Sequence, residues 1–280
     1  LTAYALQQAG LSVVVLEAGR IAGGQTQNTT AKITSQHGLI YSRLIQSFGE
    51  ETARRYAKAN QDAVRAYQDL IDVQGISCDW EERCAYLYGP DVTVLQEEAE
   101  AARRLGLPAS FTREVSIPIP HDGAVRFEGQ AQFHPLKFLK VLADQLTIYE
   151  QSRVLTAEGD LLTTELGSVQ AEHIVFACHF PFVNFPGMYF ARMHQERSYV
   201  LALQGAPPVD GMFLGVGRDT FSLRTYGELL LLGGGGHRTG ENTEGGRYDL
   251  LRRKAREWFS QSQETAHWSA QDCMPPDHVP

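Results

Sequence analysis

The chain has 280 residues, 43% of them hydrophobic and 21% charged, enough for one large core or two smaller ones. A net charge of -8 leaves no basic stripe to release phosphate counterions, which argues against a nucleic-acid partner. Cys78, Cys84, Cys178 and Cys273 form no Cys-x-x-Cys pair, so neither a disulfide framework nor a zinc site is indicated, and the lone Cys178-His179 pair reads as packing.

In chain order, Leu1 to Ala9 reads as a helix closed by Gly10. Leu11 to Glu17 then reads as a buried parallel strand ending on a carboxylate. Helix, glycine, apolar strand and terminal acid make the second half of a dinucleotide-binding βαβ unit, in which the acid accepts hydrogen bonds from a ribose diol and disfavours a 2′-phosphate. The glycine turn of the first half does not precede Leu1, so the sequence reads as a fragment of a nucleotide-cofactor enzyme.

From Ala18 to Gln36 a loop rich in Gly and Thr shows neither helical nor strand period, with Ala31 to Thr34 extended at most. Its small residues allow a bulky cofactor to approach the backbone, and its hydroxyl and amide groups suit a pyrophosphate or a flavin ring. Helices follow over Leu39 to Phe48 and Glu50 to Val73, the latter with Ala53, Tyr56, Ala63, Tyr67, Leu70 and Ile71 on one stripe and Gly75 as its stop.

Short strands are expected at Cys78 to Trp80 and Ala85 to Tyr88, then a charged helix from Asp91 to Leu105 and turns at Pro118, Pro120 and Gly123. Ala124 to Phe133 alternates as a strand, and Pro135 opens a helix to about Leu146. Strands are then expected at Thr147 to Tyr149, Arg153 to Leu155, Leu161 to Glu165 and His173 to Ala177, the last fully apolar and parallel in type. Further strands cover Ser198 to Leu203, Met212 to Leu214, Phe221 to Thr225 and Leu229 to Leu232, before the glycine run Gly233 to Gly236 and a helix from about Thr243 to Phe259. The apolar window Ile174 to Ala191 contains His179, Pro181, Asn184 and Pro186, which a membrane span tolerates poorly; without a visible secretory signal, a cytoplasmic location is the default.

Three blocks carry a resemblance: Glu17-Ala18-Gly19-Arg20, Gly23-Gly24-Gln25-Thr26 and Ala31-Lys32. With Arg153-Val154, Ile174 to His179, Leu229 to His237 and Trp268 to Pro280, the chain resembles the D-amino-acid-oxidase-like FAD-dependent oxidoreductases, the group of glycine and sarcosine oxidase. Asn28 to Gly38 and Trp268 to Cys273 are most similar to a subgroup that often carries a C-terminal Rieske 2Fe-2S domain, which would lie beyond Pro280.

The resemblance implies an α/β fold: a Rossmann-like FAD-binding domain (1–36, 136–184 and 262–280) interleaved with an antiparallel-sheet substrate domain (37–135 and 185–261). It implies that Glu17 takes the adenosine ribose, that Ala18, Gln25 and Thr26 line the pyrophosphate, and that Thr29, Thr30, Ala31 and Lys32 lie against the isoalloxazine. Val154 would hold the adenine, and Ala177 and Cys178 would reach the cofactor where relatives have Ala-Thr-Gly. Asp272 stands where relatives that bind amino acids often place arginine, which favours an amine over an amino acid.

The substrate-side candidates are His37, Arg224, His237 and Asp272, none of which stands out as a catalytic base. Flavin amine oxidation demands positioning and desolvation more than a proton-transfer signature. The implied activity is hydride transfer from an amine or amino-acid C–N bond to FAD, with electrons passed to oxygen or a Rieske cluster. Two other readings remain open: an NAD-dependent Rossmann dehydrogenase, against which the long loop and inserted sheet speak, and a non-catalytic flavin-fold module for electron transfer or interaction. No metal ligands are assigned.

Overall fold

The computed structural model describes residues 1–217, 220–241, 246–277 and 279. It is dominated by a nine-stranded sheet. Eight strands run in spatial order Gln263–Met274, His194–Gln204, Leu229–Arg238, Phe221–Tyr226, Met212–Gly215, Glu81–Gly89, Gly123–Gln132 and Lys32–Ile33, and the ninth, Ala109–Thr112, pairs with Gly123–Gln132. All neighbours are antiparallel except Met212–Gly215 with Glu81–Gly89. Val14–Leu16 pairs in parallel with Thr147–Tyr149, and Val154–Glu158, Leu161–Thr164 and Ser168–Gln170 form a small antiparallel meander. The mixed α/β architecture expected from the sequence is therefore present.

Strand alternation divides the large sheet into two faces. Ala85, Leu87, Val125, Phe127 and Met212 pack under the helices Tyr41–Phe48, Glu50–Gln74 and Val92–Arg104. Their neighbours Tyr88, Ala124 and Phe213 join Leu223, Leu232 and Leu201 on the opposite face, beneath the helix Tyr248–Trp258. The long helix ends where Gly75 turns left-handed at φ 59°, as its position after the apolar stripe predicts. Within that stripe Ala53 and Ile71 are buried, but the third contact is made by Val64 and Ala63 is exposed.

Glu98 holds these helices together. It is 0% exposed, and its Oε1 accepts from the backbone N–H of Ile40 (2.9 Å) and Tyr41 (2.7 Å). Its Oε2 accepts from the Ser42 N–H (3.0 Å) and hydroxyl (2.7 Å). The helix Tyr41–Phe48 has no side-chain cap of its own, so a carboxylate from another helix satisfies its first amides and meets its positive end.

Several expectations need correction. Val14 is 37% exposed and the parallel pair is not a buried core, since Thr147–Tyr149 is the one ladder that Val14–Leu16 makes among the described residues. His173 to Ala177 is irregular, with Val175 60% and Phe176 48% exposed: an apolar run needs a ladder partner to become a strand, and the third strand of the meander is Ser168–Gln170 instead. Cys78 to Trp80 is a connection in which Asp79 adopts φ 53°, and Cys78 O accepts from the His134 N–H at 2.7 Å. The helix at Pro135 stops at Ala143. The helix expected from Thr243 begins at Tyr248, and Thr243 itself lies outside the described residues.

The glycine run does not follow a strand but lies inside Leu229–Arg238. A Cβ at Gly234 would sit 2.7 Å from the Phe221 ring and 2.9 Å from Thr220 O, so close packing against the next strand, not turn formation, demands glycine there. Gln263–Met274, placed with the cofactor domain by the sequence boundaries, is instead an edge strand of the large sheet.

Replacing Glu98 by Ala is expected to cost about 2–4 kcal/mol, because it strips four hydrogen bonds and leaves buried amides unsatisfied. Urea unfolding of the two proteins measures this. Gly234→Ala is expected to lower the urea midpoint as well, through the clash with Phe221 and Thr220.

Candidate functional site

The helix-free part of the sheet faces a cavity of about 610 Å³, within the range of small-molecule pockets. One wall is the segment from Gln25 through Thr34: a short 3-10 turn at Gln25–Asn28, then Thr29 and Thr30, then the strand Lys32–Ile33. The facing wall is built by Ser198, Val200, Ala270, Gln271 and Asp272 from two adjacent strands. The floor is apolar, with Phe133 edge-on to Tyr67 and Phe138 and those two tilted against each other, at centroid distances of 5.3–5.8 Å.

Two hydrogen bonds join the walls. Trp268 Nε1 donates to Asn28 O at 2.8 Å, and the Gln271 N–H donates to Gln25 Oε1 at 2.7 Å. Within the loop, Thr29 Oγ1 accepts from the Ala31 N–H at 3.1 Å, which fits the left-handed Ala31 backbone at φ 52°. The lining offers hydroxyls, amides and small side chains along one edge and aromatic surface beneath, a donor and acceptor set that fits a flat heteroaromatic ring with polar edges.

Of the residues proposed from the sequence, Gln25, Thr26, Thr29, Thr30, Ala31, Lys32 and Asp272 line this cavity together. Glu17, Ala18 and Val154 form a second group at the end of the parallel pair. There the Glu17 N–H donates to Tyr149 O, Ser152 N–H donates to Glu17 O, and Glu17 Oε1 accepts from Gly19 N–H at 2.7 Å. Ala177 and Cys178 are exposed and off the lining, while the adjacent His179 is on it.

His37 is off the cavity too; its Nδ1 lies 2.7 Å from the Tyr56 hydroxyl, and burial pushes its pKa below the usual value against an opposing Thr34 backbone hydrogen bond. His237 lies against Tyr199, with Nε2 2.9 Å from the hydroxyl; Tyr199 alternates with the cavity-facing Ser198 and Val200, so this pair belongs to the opposite face. Asn60, His179, Ser198 and Gln271 are lining residues that sequence reasoning did not single out for the site; strand alternation is the signal that carries Ser198, once its partner strand is known.

The electrostatics are uneven. Lys32 reaches across the sheet to donate to Phe213 O at 3.4 Å, and burial, reinforced by the Arg224 charge, lowers its pKa to about 7. Burial raises the pKa of the Asp272 carboxyl, with His179 opposing and Glu196, its cross-strand partner, adding to the rise. Among the described residues no group of three or more His, Cys, Asp or Glu side chains is placed to hold a metal ion.

The Lys32 shift has a sign that stability measurements can read. Its folded pKa lies below its unfolded value of 10.5, so the cost of burying the ammonium is complete below about pH 7 and is relieved as pH rises toward the unfolded value. Lys32→Met should therefore raise the urea midpoint, and by more at pH 6 than at pH 8 (roughly one unit either side of the shifted value).

Comparison with known proteins bears on this arrangement. A family profile described as FAD dependent oxidoreductase, DAO, matches residues 1–280. The chain is 35% identical over 299 aligned positions to YhfW of Bacillus subtilis strain 168, whose name describes it as a Rieske 2Fe-2S iron–sulfur protein, with 100% of this chain and 58% of that protein covered. It is 24% identical to the γ-glutamylputrescine oxidoreductase of Escherichia coli K12, over 63% of this chain and 45% of that one. Glycine oxidase from Geobacillus kaustophilus has a similar fold, with TM-score 0.72, 17% identity, and coverage of 99% of this chain and 80% of that structure. The chain thus spans about half the length of the curated relatives it matches. No helix among the described residues is long and apolar enough to cross a membrane. The chain belongs to the DAO family of FAD-dependent oxidoreductases, and its cofactor is FAD.

Proposed function

We propose that the protein oxidises the C–N bond of an amine, with amino acids as the poorer class of substrate. The observation that carries this reading is the shared cavity: the loop from Gln25 to Lys32 and the carboxylate of Asp272 line the same space. In this reading Glu17 holds the adenosine ribose, Ala18, Gln25 and Thr26 the pyrophosphate, and Val154 the adenine. Thr29, Thr30, Ala31 and Lys32 lie along the isoalloxazine. When bound, FAD accepts the hydride from the carbon next to nitrogen, leaving an imine that water hydrolyses.

The chain's own residues supply position and environment. The aromatic floor of Tyr67, Phe133 and Phe138 excludes water from an apolar substrate arm. In this reading the Asp272 carboxylate pairs with the substrate ammonium, and its raised pKa makes it a better acceptor for the proton that the amine gives up on becoming neutral. Oxygen, or a Rieske cluster of the kind named in the Bacillus relative, would take the electrons.

The full-length protein incubated with FAD should retain flavin absorbance and bleach anaerobically with primary or secondary amines. Asp272→Asn should keep its flavin and raise KM for amines about tenfold, the loss of one charge-assisted contact. A protein that takes up no flavin, or one bleached equally fast by α-amino acids, would refute the assignment. Reoxidation with and without oxygen, followed by iron–sulfur absorbance, separates the two acceptors.

A further inference from the structure

Of the four substrate-side candidates, Asp272 lines the cavity and His37, Arg224 and His237 lie off it. Strand register sets a second carboxylate beside Asp272. Gln263–Met274 and His194–Gln204 pair without a register shift from His194 to Ala202, and Asp272 lies directly opposite Glu196, as Ala270 lies opposite Ser198. Ser198, Ala270 and Asp272 line the cavity, so alternation puts Glu196 and His194 on that same side of the sheet. Directly opposed residues hold their Cβ atoms about 4.5–5.5 Å apart, close enough for two carboxyl groups to meet or to share one water.

His179, on the cavity lining, faces Asp272 from the connection between Ser168–Gln170 and His194–Gln204. It opposes the rise in the Asp272 carboxyl pKa that loss of hydration and Glu196 produce. Glu196 has Arg238 as its register partner on the other side, and His194 Nε2 lies 3.6 Å from its Oε1. Asp272 opens onto the cavity, whereas Glu196 lies outside the lining with 46% of its side chain exposed. A flavin and a substrate filling the cavity would cut Asp272 off from bulk water and leave Glu196 in contact with it. Two carboxylates at this spacing resist ionising together, so a proton taken by one is held by the pair.

We propose that Glu196 is a positioning residue for amine oxidation: paired with Asp272 across the strands, it relays to solvent the proton that Asp272 takes from the substrate. This deepens the amine reading and rests on it. The N–H bond of the substrate ammonium breaks as an O–H bond forms on Asp272. That O–H bond breaks as one forms on Glu196, which releases the proton to water. The electron pair of the N–H bond stays on nitrogen, so the amine that meets the flavin is neutral, and both carboxylates end as they began.

Carboxyl-carbon NMR of the full-length protein carrying carbon-13 aspartate reads the pair without cofactor or turnover, and Asp272→Asn assigns the signal. The Asp272 titration midpoint should fall in Glu196→Gln, since a like charge is removed, and stay near the parent in Glu196→Asp. In the FAD-loaded protein, anaerobic bleaching by hexylamine should slow about tenfold in Glu196→Gln, with KM within about twofold, and its acid limb should move to lower pH. Glu196→Asp should recover most of the rate. An Asp272 midpoint that is unchanged or higher in Glu196→Gln overturns the relay, as does a variant whose bleaching rate or pH profile matches the parent. A parent that bleaches with no amine but shows the fall in midpoint sinks the amine reading and leaves the carboxylate pair standing, so the two fail separately.

Discussion

Contact between the two far edges of one sheet is what makes this molecule a container. Lys32–Ile33 and Gln263–Met274 are the outermost strands of the eight-strand path, and a flat sheet would hold them far apart. Twist and curl bring them back to one loop, and the bonds from Trp268 to Asn28 and from Gln271 to Gln25 hold them there. Each bond involves a main-chain group of one wall, so the closure depends on backbone position and tolerates change in most of the lining side chains.

The rest of the architecture serves that closure. On the other half of the same face, three helices fill the concavity, and the buried carboxylate of Glu98 ties the start of one helix to the middle of another. Without that tie the helix Tyr41–Phe48 would have neither cap nor counter-charge at its first turn. Helices occupy the face where Ala85, Leu87 and Phe127 are apolar, and the cavity remains where Ser198, Gln271 and Asp272 interrupt the apolar pattern. One sheet surface thus becomes half core and half binding wall according to which strands carry polar residues on that side.

Much of this was legible in the sequence wherever the signal was local. Gly75 after an apolar stripe stopped a helix, Asp91 capped one with hydrogen bonds to Thr93 and Val94, and the threonine-rich loop marked the cavity. What depended on distant partners was not. His173 to Ala177 has the composition of a buried strand but no ladder to join among the described residues, whereas Gln263–Met274 forms a full edge strand from a polar stretch because His194–Gln204 offers it one. His37 and His237 were sound choices by residue type, yet pairing with Tyr56 and Tyr199 turns them away from the cavity. Arg224 is a substrate-side candidate by residue type, and its burial follows from a strand order that no local pattern reveals.

The closing bonds also set when the cavity comes into being. They join residues 240 and 246 positions apart, so almost the whole chain must be synthesised before either can form. Closure entropy over such a span is recovered only after the intervening sheet has zipped, which makes the cavity a late event, preceded by an interval in which the arch is open. During that interval the apolar floor and both edge strands stand open to solvent. Until the two walls meet, that apolar floor is therefore the surface on which unwanted contacts with other chains would form.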